Sequence, residues 1–92
     1  MRVPSFEEFE SHAKVDGFDE VLIRTWPPDA IAETHCHPFA LRALVVAGEM
    51  WLVVGDYSRH LRRGDAFALD RDVAHSERYG HEGATYWVAR SN

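Results

Sequence analysis

Histidine is the residue type with the greatest chemical potential in this chain. Six histidines occur in 92 residues, at positions 12, 35, 37, 60, 75 and 81. Neutral imidazole binds transition-metal ions, and the side chain also transfers protons near neutral pH. The histidines at 12, 60 and 81 lie in polar helix or turn sequence, and we interpret them as surface side chains. The remaining three are the candidates for a functional site.

His35 and His37 lie two positions apart in a segment with an extended pattern. Alternate side chains of a strand leave the same face, so both imidazoles can bind one ion. The pair alone is equally typical of two neighbouring structural histidines. His75 opens a later strand, which in a barrel can lie beside the first. Three neutral ligands with open coordination positions predict a catalytic or sensing site for a divalent transition metal such as Fe, Zn, Ni or Mn.

The elements that must position these ligands are one helix and a series of strands. Ser5 and Glu8 form a capping-box pattern, and apolar residues then recur at helical spacing, which predicts a short helix over about residues 5–14. From about residue 18 to 90 the apolar period is two. Gly48-Glu49 and the stretch from Gly80 to Gly83 resemble turns, which gives about eight short strands. This pattern predicts an all-β antiparallel sandwich or barrel and one domain over residues 1–92.

The spacing of the histidines resembles the cupin family, which has two motifs, G-x5-H-x-H-x3–4-E-x6-G and G-x5-P-x-G-x2-H-x3-N. The first motif falls on Asp29, His35, His37, Leu41 and Gly48, and the second on Gly64, Asp70, Asp72, His75 and Tyr79. The resemblance covers about residues 20–90. It is to small single-domain bacterial cupins and to the sensor barrel of arabinose-type regulators. It implies an antiparallel jelly-roll β-barrel with the metal on the three histidines.

The chain departs from the family at the glutamate ligand, which is replaced by Leu41. Glu77 is two residues after His75, so strand alternation directs it to the same face. It can be a fourth ligand, a partner that orients an imidazole, or a general base. It can equally be a strand-end glutamate that reaches solvent or an arginine. Glu77 and Tyr79 are our candidates for proton transfer.

The cavity wall is predicted from the same alternation. Phe39, Leu41 and Ala43 continue the face of His35 and His37 and are expected to line the cavity. Cys36 lies between the two histidines, and we expect a packed thiol on the opposite face.

Three functions are consistent with these residues. The first is a metal-dependent enzyme that oxygenates or isomerises a small organic molecule. The second is a non-catalytic module that binds or senses a small ligand, and the third is a metal-free structural barrel. The histidines favour the first two. The fold resemblance, together with an apolar strand at residues 41–47, also predicts a homodimer.

Composition excludes several other classes of protein. The net charge of −5 disfavours nucleic-acid binding, which needs clustered Lys and Arg. A single cysteine excludes an intramolecular disulfide and a thiol-rich zinc site. The sequence has no apolar run long enough to cross a membrane and no visible signal peptide, so a cytoplasmic location is expected.

Overall fold

One helix and six strands make up the described part of the chain, residues 3–92 of a computed structural model. Residues 1 and 2 of the predicted domain lie outside that part. The elements in chain order are α1 (Phe6–Val15), β1 (Glu20–Trp26), β2 (Ile31–His35), β3 (Ala40–Val54), β4 (Tyr57–Arg62), β5 (Ala66–Leu69) and β6 (His75–Ser91).

Helix α1 begins where the capping pattern predicts. The Ser5 hydroxyl accepts a hydrogen bond from the Glu8 backbone N–H at 3.1 Å, and the Glu8 carboxylate accepts one from the Ser5 N–H at 2.9 Å. The helix ends before Gly17, whose φ of +94° suits the left-handed conformation common after a helix. Phe6 and Phe9 pack their rings on Trp87 of β6, with centroids 5.4 and 5.9 Å apart. The helix therefore lies on the outer face of the sheet formed by the end of β6.

Strands β3 and β6 are long, and each takes part in two sheets. The first half of β3 and the second half of β6 pair with each other, with β1 and β5 at the edges. The second half of β3 and the first half of β6 pair again, with β4 and β2 at the edges. All pairs are antiparallel. The all-β jelly roll predicted from the sequence is confirmed.

The number of strands differs from the sequence prediction, which was wrong at two positions. Gly48 and Gly83 do not end strands: they lie inside β3 and β6, with φ of +72° and +69°. The register between these strands shifts between Val45 and Ala47 and again between Gly48 and Met50, as β-bulges cause. The glycines therefore bend two continuous strands from one sheet into the other. Two pairs of the expected strands are single long strands, which gives six strands instead of eight.

Aspartate takes the left-handed conformation at two positions where the cupin motifs have glycine. Asp29 has a φ of +58° and Asp72 a φ of +61°. Aspartate is one of the few residue types that tolerate this conformation, because its short side chain can bond locally. The two departures from the motif therefore keep the backbone shape that the motif requires.

The hydrophobic core lies between the two sheets. Residues from both contribute to one buried cluster, including Ala43 and Val45 from one sheet and Met50 and Leu61 from the other. In residues 3–92, no helix has the length and apolar character needed to span a membrane.

Candidate metal centre

His35, His37 and His75 converge at one end of the barrel. One ring nitrogen from each lies within 4.8 Å of the others, a spacing that a single ion can bridge. The ring centroids of His35 and His75 are 4.3 Å apart, and His37 is 4.8 Å from His35 and 5.1 Å from His75. The structure thus brings together the three residues that the sequence singled out.

Strand pairing and one loop contact position the three rings. His35, the last residue of β2, pairs directly with His75, the first residue of β6. His37 lies beyond the end of β2, so it is not a strand residue as expected. Its backbone carbonyl accepts a hydrogen bond from the Asp72 N–H at 2.8 Å, which ties this loop to the turn before β6. The left-handed Asp72 therefore also holds a histidine loop in place.

Backbone carbonyls orient two of the rings. His35 Nδ1 lies 2.7 Å from the Glu33 carbonyl oxygen, and His75 Nδ1 lies 2.9 Å from that of Val73. A carbonyl only accepts hydrogen bonds, so each Nδ1 must carry the proton and donate it. Each neutral ring then presents the lone pair of Nε2 to the centre of the cluster, as metal-binding histidines do.

The environment of the third ring, His37, favours its neutral form. Its pKa lies below the ordinary value, first because of burial and then because His35 and His75 are close; Glu77 opposes this shift, and Arg24 adds a smaller effect in the lowering direction. The ring stacks on Phe39 with centroids 4.8 Å apart. A neutral imidazole is the form that binds a metal, so this environment suits a ligand.

Glu77 is a buried carboxylate next to two of the histidines. It is only 6% exposed, and its Oε2 lies 3.5 Å from Nε2 of both His35 and His75. Two lone pairs and a carboxylate facing one another repel unless a proton or a cation lies among them. Three nitrogens and one oxygen fit a divalent transition metal. Glu77 is therefore not a strand-end glutamate that reaches solvent.

Three aromatic residues with polar groups form a connected set of contacts on the side of Glu77 away from the histidines. The Tyr79 hydroxyl donates to Glu77 Oε1 at 2.6 Å, and Tyr79 is only 2% exposed. Burial, with smaller contributions from Tyr86 and Glu77, raises the pKa of Tyr79 far above its ordinary value, so the hydroxyl keeps its proton. The Tyr79 ring stacks on Trp26 at 4.9 Å, and the Trp26 indole N–H donates to the Tyr86 hydroxyl at 3.2 Å. This arrangement fixes the carboxylate of Glu77.

A cavity of about 180 Å³ opens beside the histidines. Phe39 and Leu41 line it, as the alternation predicts, and Leu41 occupies the place of the family glutamate. Ala43 was predicted to line it but lies fully buried in the core. Ala43 pairs with Phe67 on one side and Val88 on the other, and both larger side chains line the cavity in its place.

The sequence analysis missed two arginines of the cavity wall and misjudged the cysteine. Arg24 of β1 and Arg90 of β6 both line the cavity. The sequence did contain a signal for Arg24. It lies between Leu22 and Trp26 at alternate positions of β1, so strand alternation places its side chain on the same face as these two inward residues. Cys36 is exposed, not packed, because it lies in the loop just after β2.

Comparison with known proteins identifies the fold. No family model matches the chain, and no curated protein matches it by sequence. Among solved structures, the cupin domain of Schizosaccharomyces pombe Cnp3 superposes with a TM-score of 0.72 at 12% identity. The DMSP lyase DddQ of Ruegeria pomeroyi DSS-3 and an oxalate decarboxylase of Bacillus subtilis with Mn(II) centres have the same TM-score, at 19% and 23% identity. The chain has the cupin fold.

The alignments cover most of this chain and less of the similar structures. Each covers 78% of this chain, but 51% of the Cnp3 domain, 37% of DddQ and 20% of the oxalate decarboxylase. At these identities the likeness concerns the fold, and the chemistry must be argued from the residues of the site.

Proposed function

We propose that this protein binds one divalent transition-metal ion through His35, His37 and His75 and uses it to act on a small organic molecule. The observation that carries the proposal is the convergence of the three imidazoles, with the buried Glu77 carboxylate beside two of them. Two rings are held with Nε2 directed inward by backbone carbonyls. The Mn(II) centres named for the similar oxalate decarboxylase agree with a divalent ion in this fold.

A bound ion would act as a Lewis acid or an oxygen-binding centre, consistent with oxygenation or isomerisation of the substrate. Glu77 would be its fourth ligand or would accept a proton through Oε2, since Oε1 is already bonded to Tyr79. Tyr79 is a positioning residue in this proposal, because its hydroxyl is occupied by Glu77 and its ring is buried. Trp26 and Phe39 line the cavity and exclude water around the reacting group.

The second candidate is a module that binds or senses a small ligand without catalysis. It is favoured by the single carboxylate in the cavity lining, which the histidines and Tyr79 already engage. If Glu77 acts as a metal ligand instead of a base, proton transfer would need a group supplied by the small ligand. A cytoplasmic location stays a prediction from the sequence.

The test is the metal content of the purified, untagged protein, followed by titration with Fe, Zn, Ni and Mn salts. We expect one ion per chain. His75→Ala removes a buried ligand and should lower the affinity by at least about a hundredfold, since changes even to residues behind a ligand cost about 10- to 100-fold. His12→Ala, an exposed histidine of α1, is the matched control.

Circular dichroism of both variants checks that the barrel is still folded. Equal metal occupancy in wild type and a folded His75→Ala variant, or no uptake by wild type, would refute the metal site. A metal-loaded protein that neither consumes oxygen nor converts any member of a substrate panel would favour the ligand-binding module.

A further inference from the structure

Two arginine side chains enter the wall of the cavity that the histidines share. Arg24 of β1 and Arg90 of β6 lie on neighbouring strands, and Arg90 pairs across the ladder with Glu20. Arg24 follows Glu20 by four positions on β1, so both arginines lie on the face turned to the cavity. Neither takes part in the donor set described above.

Arg24 has positive charge that nothing in the described chain neutralises. Within residues 3–92 no hydrogen-bond or ion-pair partner is found for it, and its guanidinium contacts the Trp26 ring at 6.0 Å. It is close enough to His37 for its charge to act on that ring. An arginine directed towards a cavity without a carboxylate partner is suited to an anion from outside.

The guanidinium of Arg90 has hydrogen-bond partners for only some of its N–H groups. One terminal nitrogen of its guanidinium binds the Glu20 carboxylate, and the guanidinium lies over the Phe39 ring at 4.7 Å. Its Nε–H is buried and has no acceptor among the described residues. A buried donor without a partner is uncommon, because it loses its hydrogen bond to water without replacement. Glu20 balances the charge of Arg90, but Arg90 still brings an unused hydrogen-bond donor to the same wall.

The rest of the lining is apolar, and the space is small. Leu22, Leu41, Phe67, Leu69 and Val88 form most of the remaining wall. The charged residues of the lining are the two arginines and Glu77, and Glu77 faces the histidines. The cavity has a volume of about 180 Å³. The positive charge is local, since the chain as a whole carries −5.

We propose that this cavity binds a small organic anion, a carboxylate whose charge is balanced by Arg24, with Arg90 beside it, and whose apolar body contacts the leucine and phenylalanine wall. The proposal names the ligand class of the proposed metal site and rests on it in part, because a bound ion would add positive charge. The two guanidiniums are present with or without the ion.

The test is a titration of metal-loaded and chelator-treated protein with acetate, butyrate and benzoate, with benzamide as the neutral analogue of benzoate. Trp26 lines the cavity, so the NMR shift of its indole N–H reports binding there, and calorimetry gives the affinity. We expect at least one carboxylate to bind, benzoate to bind more tightly than benzamide, and its affinity to fall as salt is added.

Arg24→Gln identifies the charge responsible, and Arg63→Gln is its control. Arg63 is exposed in the turn after β4 and lies outside the cavity lining, so both variants change the net charge equally. We expect Arg24→Gln to weaken benzoate binding about two- to fivefold, the range for an exposed charge pair. Arg63→Gln should leave it unchanged.

Three results would overturn the anion site: no binding by any of the carboxylates, equal binding of benzoate and benzamide, or equal weakening by the two variants. Metal content is measured in the same samples. Metal uptake without a preference for carboxylates refutes the anion site and leaves the metal site standing. Carboxylate binding that depends on Arg24, in protein that takes up no metal, supports the anion site and refutes the metal site.

Discussion

Glu77 connects the histidines to the interior of the barrel at the scale of single residues. One carboxylate oxygen faces two imidazoles, and the other accepts a hydrogen bond from a tyrosine that is itself buried. The orientation of the donor group is therefore set by a residue that does not touch the cavity. In the proposed metal site, a glutamate at this position would supply the carboxylate that the cupin motif has where this chain has Leu41.

Tyr79→Phe should weaken metal binding by about tenfold to a hundredfold, because the hydrogen bond that orients Glu77 is lost. The ring and its stack on Trp26 remain, so stability should fall by only about 1–2 kcal/mol. Calorimetric titration with the preferred metal and urea unfolding measure the two effects. Tyr57→Phe, at a tyrosine that is 80% exposed, is the control. Unchanged metal affinity in Tyr79→Phe would show that Tyr79 does not orient Glu77 for metal binding.

The sequence predicts some of these residues and not others for a physical reason. The three histidines and the capping box of α1 are recognisable because their spacing is local or matches a motif. Arg24 and Arg90 are not, because an arginine on a strand is usually a solvent-facing residue and only closure of the barrel turns them to the cavity. Alternation along a strand shows which side chains share a face, but it does not show which of the two faces becomes the interior of the barrel.

Gly48 and Gly83 decide the shape of the molecule at the scale of elements. A side chain built on Gly48 would place its Cβ 2.0 Å from the Gly83 carbonyl oxygen, far inside contact distance. The bends of β3 and β6 therefore touch backbone to backbone, which leaves no room for a side chain. This close approach carries both strands from one sheet into the other.

Gly48→Ala should destabilise the protein by about 3 kcal/mol or more, since it combines overpacking with a left-handed alanine. Gly55→Ala is the matched control: Gly55 also has a positive φ, of +57°, but nothing lies within 4 Å of its ideal Cβ. It should cost only about 1–2 kcal/mol. Urea unfolding of both variants gives the difference, and equal losses would show that the contact with Gly83 does not matter.

The number of strands could not be predicted for the same reason. A glycine beside a polar residue, as in Gly48-Glu49, has the same local sequence in a hairpin turn and in a bulge. What distinguishes them is the partner strand, which comes more than thirty residues later. Asp29 and Asp72, by contrast, lie in turns, and the preference of aspartate for turns is a local signal in the sequence.

The outer faces of the two sheets differ at the scale of the whole molecule. Helix α1 covers Trp87 on the sheet that contains β1 and β5. On the other sheet Ile31 is 68% exposed, and Val53 and Trp51 lie beside it around an open groove. Glu33 and Arg78 border the same groove, so two copies related by a two-fold axis can pair these charges. The homodimer predicted from the sequence is therefore expected to form through this face.

Light scattering at micromolar concentration should give twice the chain mass of 10.5 kDa. Ile31→Arg should lower the measured mass to that of one chain, because it places a charge in the apolar part of the dimer contact. Ile23→Arg changes an isoleucine that is 58% exposed on the sheet next to α1, and it should leave the dimer intact. A monomeric wild type would contradict the dimer. If only Ile23→Arg dissociates it, the dimer interface lies on the other sheet.

The continuity of β6 also determines when the site can form during folding. His75 and Glu77 lie at the start of this strand and Arg90 near its end, while His35 and His37 come about forty residues earlier in the chain. Contacts between such distant segments form slowly, typically on the millisecond-to-second scale for β-rich domains. The nascent chain therefore has no preorganised binding site until β6 has been synthesised and has paired along its length. Binding of the proposed ligand would therefore be a late event, and it would stabilise only molecules whose barrel has already closed.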